Sequence, residues 1–337
     1  MMASPYVVNL EEARNRASKR SQFIELVGIE LEGFTSNPTI DSGGASHDVV
    51  WDSDAGLHQC ELIVDPLSSA DEAFTRIERV LSLKSSPMVQ LTPRRPDGMG
   101  LSGHWQDKQR YNVIRQALSM ESRKAHLVTG IGDWAALHIN FSGTLINPLG
   151  NDGAFLVSLF NAIGPFIAHK VHQQTGIGAG HLSLWQDFAR EERLPLAGRW
   201  FANSGEMISY FEGVPKLIKK EGGQYVPQPG ENQHIACAVD QGVTWWFMRV
   251  KLSPSGVWYL ESRILPSMPI NLARHYTKLV IEILEKSLCW FYGQNDGQPV
   301  GCLGDISPLL RYLREDFAEF IPDSPLSTDE WLICLSL

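Results

Sequence analysis

The sequence predicts an α+β fold built on an antiparallel sheet, and three observations carry that expectation. Segments of alternating apolar and polar residues are scattered between segments of helical spacing, with no regular βαβ order. "VTWWFMRVKL" and "GVWYLESRILP" flank the turn "SPSG", a strong hairpin signal. Five strand-like segments set an apolar face against a face of carboxylates, imidazole or guanidinium groups.

In chain order, residues 1–20 read as a polar leader of mixed charge. "VGIELEGF" (27–34) is the first strand, followed by the turn-rich loop "TSNPTIDSGGAS". "HQCELIVDP" (58–66) is the second strand, with Asp65-Pro66 as its stop. A helix follows from Phe74, Ile77, Val80 and Leu81, with Ser69 or Asp71 as its cap. An irregular Pro/Gly-rich stretch (85–105) leads to the helix "DKQRYNVIRQALSMESR". "AALHINFSG" is a strand, and "NDGAFLVSLFNAIGPFIAHKVHQQTG" is a long apolar helix with a kink expected near Pro165. "GIGAG" is a connection, and "LSLWQDFAREERLP" and "GEMISYFEGVPKLIKK" have helical character. After the hairpin come two C-terminal helices, from "NLARHYTKLVIEILEKSLCWFY" and "SPLLRYLREDFAEFI". The expected organisation is a leader (1–20), a single catalytic domain (21–322) and a tail (323–337).

Composition narrows the function. A net charge of −9 argues against a general nucleic-acid or anionic-membrane binder. Cys60, Cys237, Cys289, Cys302 and Cys334 show no C-x-x-C spacing, which fits free thiols in a reducing cytoplasm. The N-terminus has no apolar signal region, and no uncharged run reaches the ~20 residues that span a bilayer. Walker and Rossmann signatures are absent, so any nucleotide chemistry must rest on metals.

The polar strand faces then become the main signal. Glu30 and Glu32 lie two residues apart on one face, where they repel by about 2.4 kcal/mol at ~7 Å and an effective dielectric near 20. Solvent on an outer face would tolerate that repulsion, and a divalent cation would turn it into a pair of ligands. Matching groups stand on the other strands: Glu61 on the second, His138 and Asn140 on the third, Arg249 and Lys251, then Glu261 and Arg263, on the hairpin. Together they describe a sheet curved around a polar funnel. The carboxylates and His138 suit Mg²⁺ or Mn²⁺, and the arginines suit phosphate charge developing in a transition state.

This ordered set resembles the glutamine synthetase superfamily, in its carboxylate–amine ligase branch of glutamate–cysteine ligases (type 2 included) and amidoligases. Gly-x-Glu-x-Glu, a second-strand Glu, a His-x-His-like strand, a late Glu-x-Arg, Arg110-Tyr111 and "FNAIGPFIA" carry the likeness, over about residues 23–295. The resemblance implies a half-barrel funnel of antiparallel strands with helices on its outer face. It implies metal ligands at Glu30, Glu32, Glu61, His138 and Glu261, phosphate contacts at Arg263, and a site role for Arg249, Lys251, Arg110 and Tyr111. Asn140 stands where the second histidine is expected, so it orients by hydrogen bonds and exchanges no proton. The family's Ser-x-Arg after the long helix has no match, because "HLSLWQDFAR" carries Trp185 there.

Other features read as structural. His169 and His172, at i and i+3, suit a helix surface ahead of a metal site, "GIGAG" a connection ahead of a phosphate cradle, "KLIKK" a solvated face ahead of an ATP or substrate-anion contact, and Cys60 the core side of its strand. The activity implied is an ATP-dependent ligase that joins a small-molecule acid, best matched by the γ-carboxylate of glutamate, to an amine. That amine is cysteine, another amino acid or a small amine, and the chain is allowed to form a homo-oligomer. A guanidino kinase-like phosphotransferase and a non-catalytic nucleotide binder remain as alternatives.

Overall fold

The computed structural model describes residues 9–19, 22–36, 49–83, 89–99, 105–121, 125–178, 180, 189–195, 197, 199–228, 234–236, 239, 244–293, 297 and 305–336. Its strands are β1 (Leu26–Thr35), β2 (Val50–Ser53), β3 (Gln59–Leu67), β4 (Val89–Gln90), β5 (Ala136–Ser142), β6 (Ile218–Glu221), β7 (Gln224–Pro227), β8 (Met248–Leu252) and β9 (Trp258–Pro266). Its helices are α1 (Leu10–Ser18), α2 (Ala70–Leu81), α3 (Gln109–Glu121), α4 (Asn151–Thr175), α5 (Ser204–Gly213), α6 (Ile270–Gly293), α7 (Ser307–Phe317) and α8 (Thr328–Leu335).

The main sheet runs β2-β3-β1-β5-β9-β8, with β4 on the end of β1, and every pairing is antiparallel. It is curved and does not close, so the fold is α+β as the strand pattern requires. One face carries Ile29, Leu31, Leu62, Val64, Leu137, Ile139, Leu260 and Ile264, all buried. That face packs beneath α4 and α2, and α6 packs in turn on α1, α2, α4 and α7. Phe155 of α4 stacks on Phe291 of α6 with ring centroids 4.7 Å apart.

Local chemistry fixes the ends. The Ser69 side chain accepts from the Glu72 amide and starts α2. Ser327 and Glu330 form a capping box that starts α8, and Trp331 then donates to the Asn161 carbonyl at 2.8 Å, seating α8 on α4. Gly164 lies where α4 crosses the sheet, and a Cβ there would stand 3.0 Å from the Ile264 side chain, which would have to shift to admit it. The helix runs unbroken through Pro165.

Several expectations need correction. The second strand does not stop at Asp65-Pro66 but reaches Leu67. Val27 pairs with Leu67 and Ile29 with Val64, so the proline falls at a register shift, where no ladder donor is needed. The helix expected over "GEMISYFEGVPKLIKK" ends at Gly213, and "IKKE" instead pairs with β7 through Gly222 and Gly223, which hold φ of 55° and 85°. The stretch 85–105 contains β4, the tail contains α8, and β2 follows the first loop. Only a three-residue 3-10 turn (Glu191–Arg193) is described from "LSLWQDFAREERLP", since residues 181–188, with Trp185, lie outside the described residues. Cys237 and Cys302 lie outside them too, while Cys60, Cys289 and Cys334 are buried free thiols. Among the described residues one helix, α4, is long and apolar enough to cross a membrane, and 83% of its apolar window is buried inside the protein, which is the place of a core helix.

A second, smaller apolar cluster stands apart from the main core. It joins Ala55, Trp105, Val113, Ile114, Ala117, Leu118, Leu217, Ile218 and Trp245, with α3 packed on the β6–β7 hairpin. This cluster roofs the polar face of the sheet.

Candidate active site

The strand register brings the polar residues into one row. Asp52 pairs with Glu61 across β2–β3, and Glu61 with Glu32 across β3–β1. Glu30 faces His138 across β1–β5, while Asn140 faces Glu261 and Glu261 faces Arg249 further along. Period-two alternation projects all of them to the face opposite the core. Glu30, Glu32, Asp52, Glu61, His138 and Arg249 line a cavity of about 320 Å³, together with Asp54, Tyr111, Arg110, Lys251 and Arg263. Every sequence-expected site residue except Asn140 and Glu261 lines that cavity. Those two sit at its edge, bonded to Glu30 and to the cationic cluster respectively.

One end of the cavity is built around Glu261, whose side chain is fully buried. Arg249 grips it through Nε and through Nη2 at 3.3 Å, Lys251 lies at 3.4 Å and Arg263 at 3.1 Å. Burial alone would raise the Glu261 pKa, but the three cations hold it well below the usual carboxylate range. Glu30 accepts from Asn140 Nδ2 at 2.7 Å and meets His138 Nδ1 at 3.2 Å. Burial again opposes ionisation there, yet the His138 contact leads the groups that bring Glu30 down to about 2. Burial, and then Arg263, lowers the His138 pKa, which leaves a neutral imidazole.

The other end is dominated by carboxylates. Glu32, Asp54 and Glu61 offer oxygens that all lie within 4.8 Å of one another. The Gln59 amide reaches Glu32 at 3.2 Å and Asp54 at 2.6 Å, and the Ala136 amide donates to Glu32 at 2.6 Å. Tyr111 donates to the second Asp54 oxygen at 3.0 Å. Burial, followed by the charge of Asp54, drives Glu32 and Glu61 well above the ordinary carboxylate range. Burial and the same aspartate raise the Tyr111 phenol, which stays a donor.

A divalent cation fits both groups. Glu30, His138 and Glu261 form a second set with ligand atoms within 4.8 Å. The Nε2 of His138 is buried without a hydrogen-bond partner, as an imidazole lone pair awaiting a metal would be. A divalent cation among carboxylates this close together would favour their ionised forms. Glu261 already serves three cations, so the all-carboxylate set is the stronger cation site of the two.

Asp54 was invisible to strand alternation. It follows a four-residue strand and lies in the turn before Gln59, where no period can be read. Asp52 belongs to that same short strand and pairs with Lys108 at 2.6 Å. The His169 and His172 rings lie on α4, outside the cavity, and "KLIKK" runs into the hairpin over α3. A larger cavity of about 640 Å³ is lined by Gln22, Ile281, Glu285, Cys289 and Tyr312. Its charges already serve the fold: Glu285 accepts from the Phe23 and Ile24 amides, and Lys286 pairs with Asp316. The smaller cavity is therefore the candidate site.

No family model and no curated protein matches the chain. Among solved structures it is similar to a glutamate–cysteine ligase of Francisella tularensis in complex with AMP, at TM-score 0.46 and 13% identity over 93% of this chain and 82% of that one. It is also similar to a bifunctional glutathione synthetase of Pasteurella multocida, at TM-score 0.39 and 15% identity over 84% of this chain. The match spans 41% of that second protein's length. Likeness at this level leaves the activity to be argued from the site.

Proposed function

We propose that the protein is an ATP- and Mg²⁺-dependent (or Mn²⁺-dependent) carboxylate–amine ligase, with the half-barrel funnel of the glutamine synthetase superfamily. The observation that carries this reading is the two-ended cavity, in which three cations around Glu261 face a cluster of three carboxylates. Polyphosphate suits the first end, and a divalent cation suits the second.

In the proposed reaction an oxygen of the acid attacks the γ-phosphorus of ATP, and the bond to ADP breaks. The amine nitrogen then attacks the carbonyl carbon of the acyl phosphate. A C–N bond forms, the C–O bond to phosphate breaks, and the neutral amine nitrogen gives up one proton to phosphate or solvent. Arg263, Arg249 and Lys251 hold the phosphoryl oxygens and stabilise charge as it develops. Asn140 orients Glu30 and takes no proton. Tyr111 holds Asp54, and Arg110 stands on the same turn of α3 to meet a substrate anion. Glu30, Glu32, Glu61, His138, Glu261 and Asp54 are the residues that would hold Mg²⁺, which when bound screens the phosphates and orients them.

The γ-carboxylate of glutamate is the proposed acid. The partners are small molecules rather than nucleic acid or membrane, and the setting is a reducing cytoplasm. A screen of acids against amines for ADP release, with and without Mg²⁺, tests the reading. Release that needs all four components supports it. Phosphate transfer to a guanidino compound without amide formation would move the protein to the kinase alternative.

A further inference from the structure

Opposite the charged strands the cavity has a wall of another kind. Trp105, Ile114, Leu118 and Ile131 line it, and all belong to the second apolar cluster or pack against it. Tyr111, Ile114 and Leu118 stand at i, i+3 and i+7 of α3, so one stripe of that helix faces inward.

The wall has a definite position along the cavity. Tyr111 at the top of the stripe is bonded to Asp54. Trp105 is bridged to Gly56, two residues beyond Asp54, and the next amide, of Gln106, donates to the Ala55 carbonyl. Ile131 is held three residues before Trp134, whose carbonyl receives Gln59, the amide that also binds Glu32 and Asp54. The apolar wall therefore stands over the acidic end. The cationic end has its own aromatic neighbour in Trp245, next to the Thr244 carbonyl that accepts from Arg249.

Charge selects the group that enters beneath this wall. Glu32, Asp54 and Glu61 cluster there, a concentration of carboxylate that attracts an ammonium more than a second carboxylate. Apart from the Trp105 indole N–H and the Tyr111 hydroxyl, which already donates to Asp54, the side chains above it offer hydrocarbon. We infer that the amine substrate is an apolar one, with an aromatic or branched hydrocarbon body packed on Trp105, Ile114, Leu118 and Ile131, and not a polar amino acid. The inference rests on the ligase reading for the presence of an amine, and its test does not depend on turnover.

The test is calorimetric titration of the full chain, with Mg²⁺ and a non-hydrolysable ATP analogue present, using phenethylamine, isoamylamine, ethylamine, glycine and cysteine. Phenethylamine and isoamylamine are expected to bind about 10- to 100-fold more tightly than ethylamine, the gain for burying a large apolar side chain. Ile131→Asn is expected to lose most of that preference while its Mg²⁺ affinity stays unchanged. Trp105→Phe, which keeps an aromatic surface, is expected to retain the preference. Tighter binding of glycine or cysteine, no binding of any amine, or equal phenethylamine affinity in Ile131→Asn would overturn the inference. ADP release with cysteine alone would overturn it and leave the ligase reading standing. Selective apolar binding without ADP release for any acid would uphold it and remove the ligase reading.

Discussion

Glu261 and Glu61 lie on one polar sheet face, both removed from most solvent, and they titrate in opposite directions. Burial pushes both upward. At Glu261 three cations within 3.4 Å reverse the push, whereas at Glu61 the neighbours Asp54, Glu30 and Glu32 add to it. The environment of a carboxylate, rather than its burial, decides whether it stabilises the apo fold or waits for a partner. One end of the site balances its charge from within the chain, and on the proposed reading the other does so with a cation.

The largest expected effect follows from that asymmetry. Glu261→Gln leaves three partly exposed cations without their buried anion and should lower folding stability by up to about 3 kcal/mol, read from denaturant midpoints. Glu61→Gln removes a like charge from the acidic end, so its metal-free stability should equal or exceed that of the wild type. A drop in both variants would erase the distinction between the ends.

Next in size is a kinetic effect. Arg263→Lys keeps the charge near Glu261 but loses the planar fork, and kcat should fall by about 10²–10³ while the melting temperature stays close to wild type. Turnover within a few-fold of wild type would make Arg263 a structural ion-pair partner only. The third effect is metal linkage: Mg²⁺ at 100 times its Kd should stabilise the wild type by about 2.7 kcal/mol and leave Glu61→Gln nearly unmoved. Equal gains in the two proteins would place the cation elsewhere.

How much of this was legible in the chain depends on the length of each element. β1, β3, β5 and the β8–β9 hairpin are long enough for alternation to show, and it displayed Glu30, Glu32, Glu61, His138, Asn140, Arg249, Glu261 and Arg263 on one face. Asp52 and Asp54 escaped because β2 has four residues and Asp54 lies beyond its end. The wall of Trp105, Ile114, Leu118 and Ile131 was hidden for another reason. It is a tertiary cluster drawn from a loop, a helix and a 3-10 segment, and no single period joins those residues. The "KLIKK" segment looked helical because its neighbours are good helix formers, yet Gly222-Gly223 supplied the left-handed turn that made it a hairpin.

A smaller effect sharpens the comparison through pH. The raised pKa values of Glu32 and Glu61 give stability that is full below the unfolded value of about 4.3 and is lost as pH rises through their folded values. Glu30, at about 2, and Glu261 behave in the opposite sense, giving stability above about 4.3 that is lost as pH falls. The gain in melting temperature on adding Mg²⁺ should therefore grow from pH 5.5 to pH 8, with protons released on binding at the lower pH. A gain independent of pH, with no proton release, would show that the acidic cluster is already ionised without metal.

The most direct measurement follows oxygen. Glutamate labelled with ¹⁸O in its γ-carboxylate is incubated with ATP, Mg²⁺ and an amine that supports ADP release, and the inorganic phosphate is analysed by mass. An acyl phosphate route requires one labelled oxygen to leave with each phosphate, in step with each amide formed. Phosphate that carries no label while amide accumulates would contradict the proposed ligase chemistry at this site.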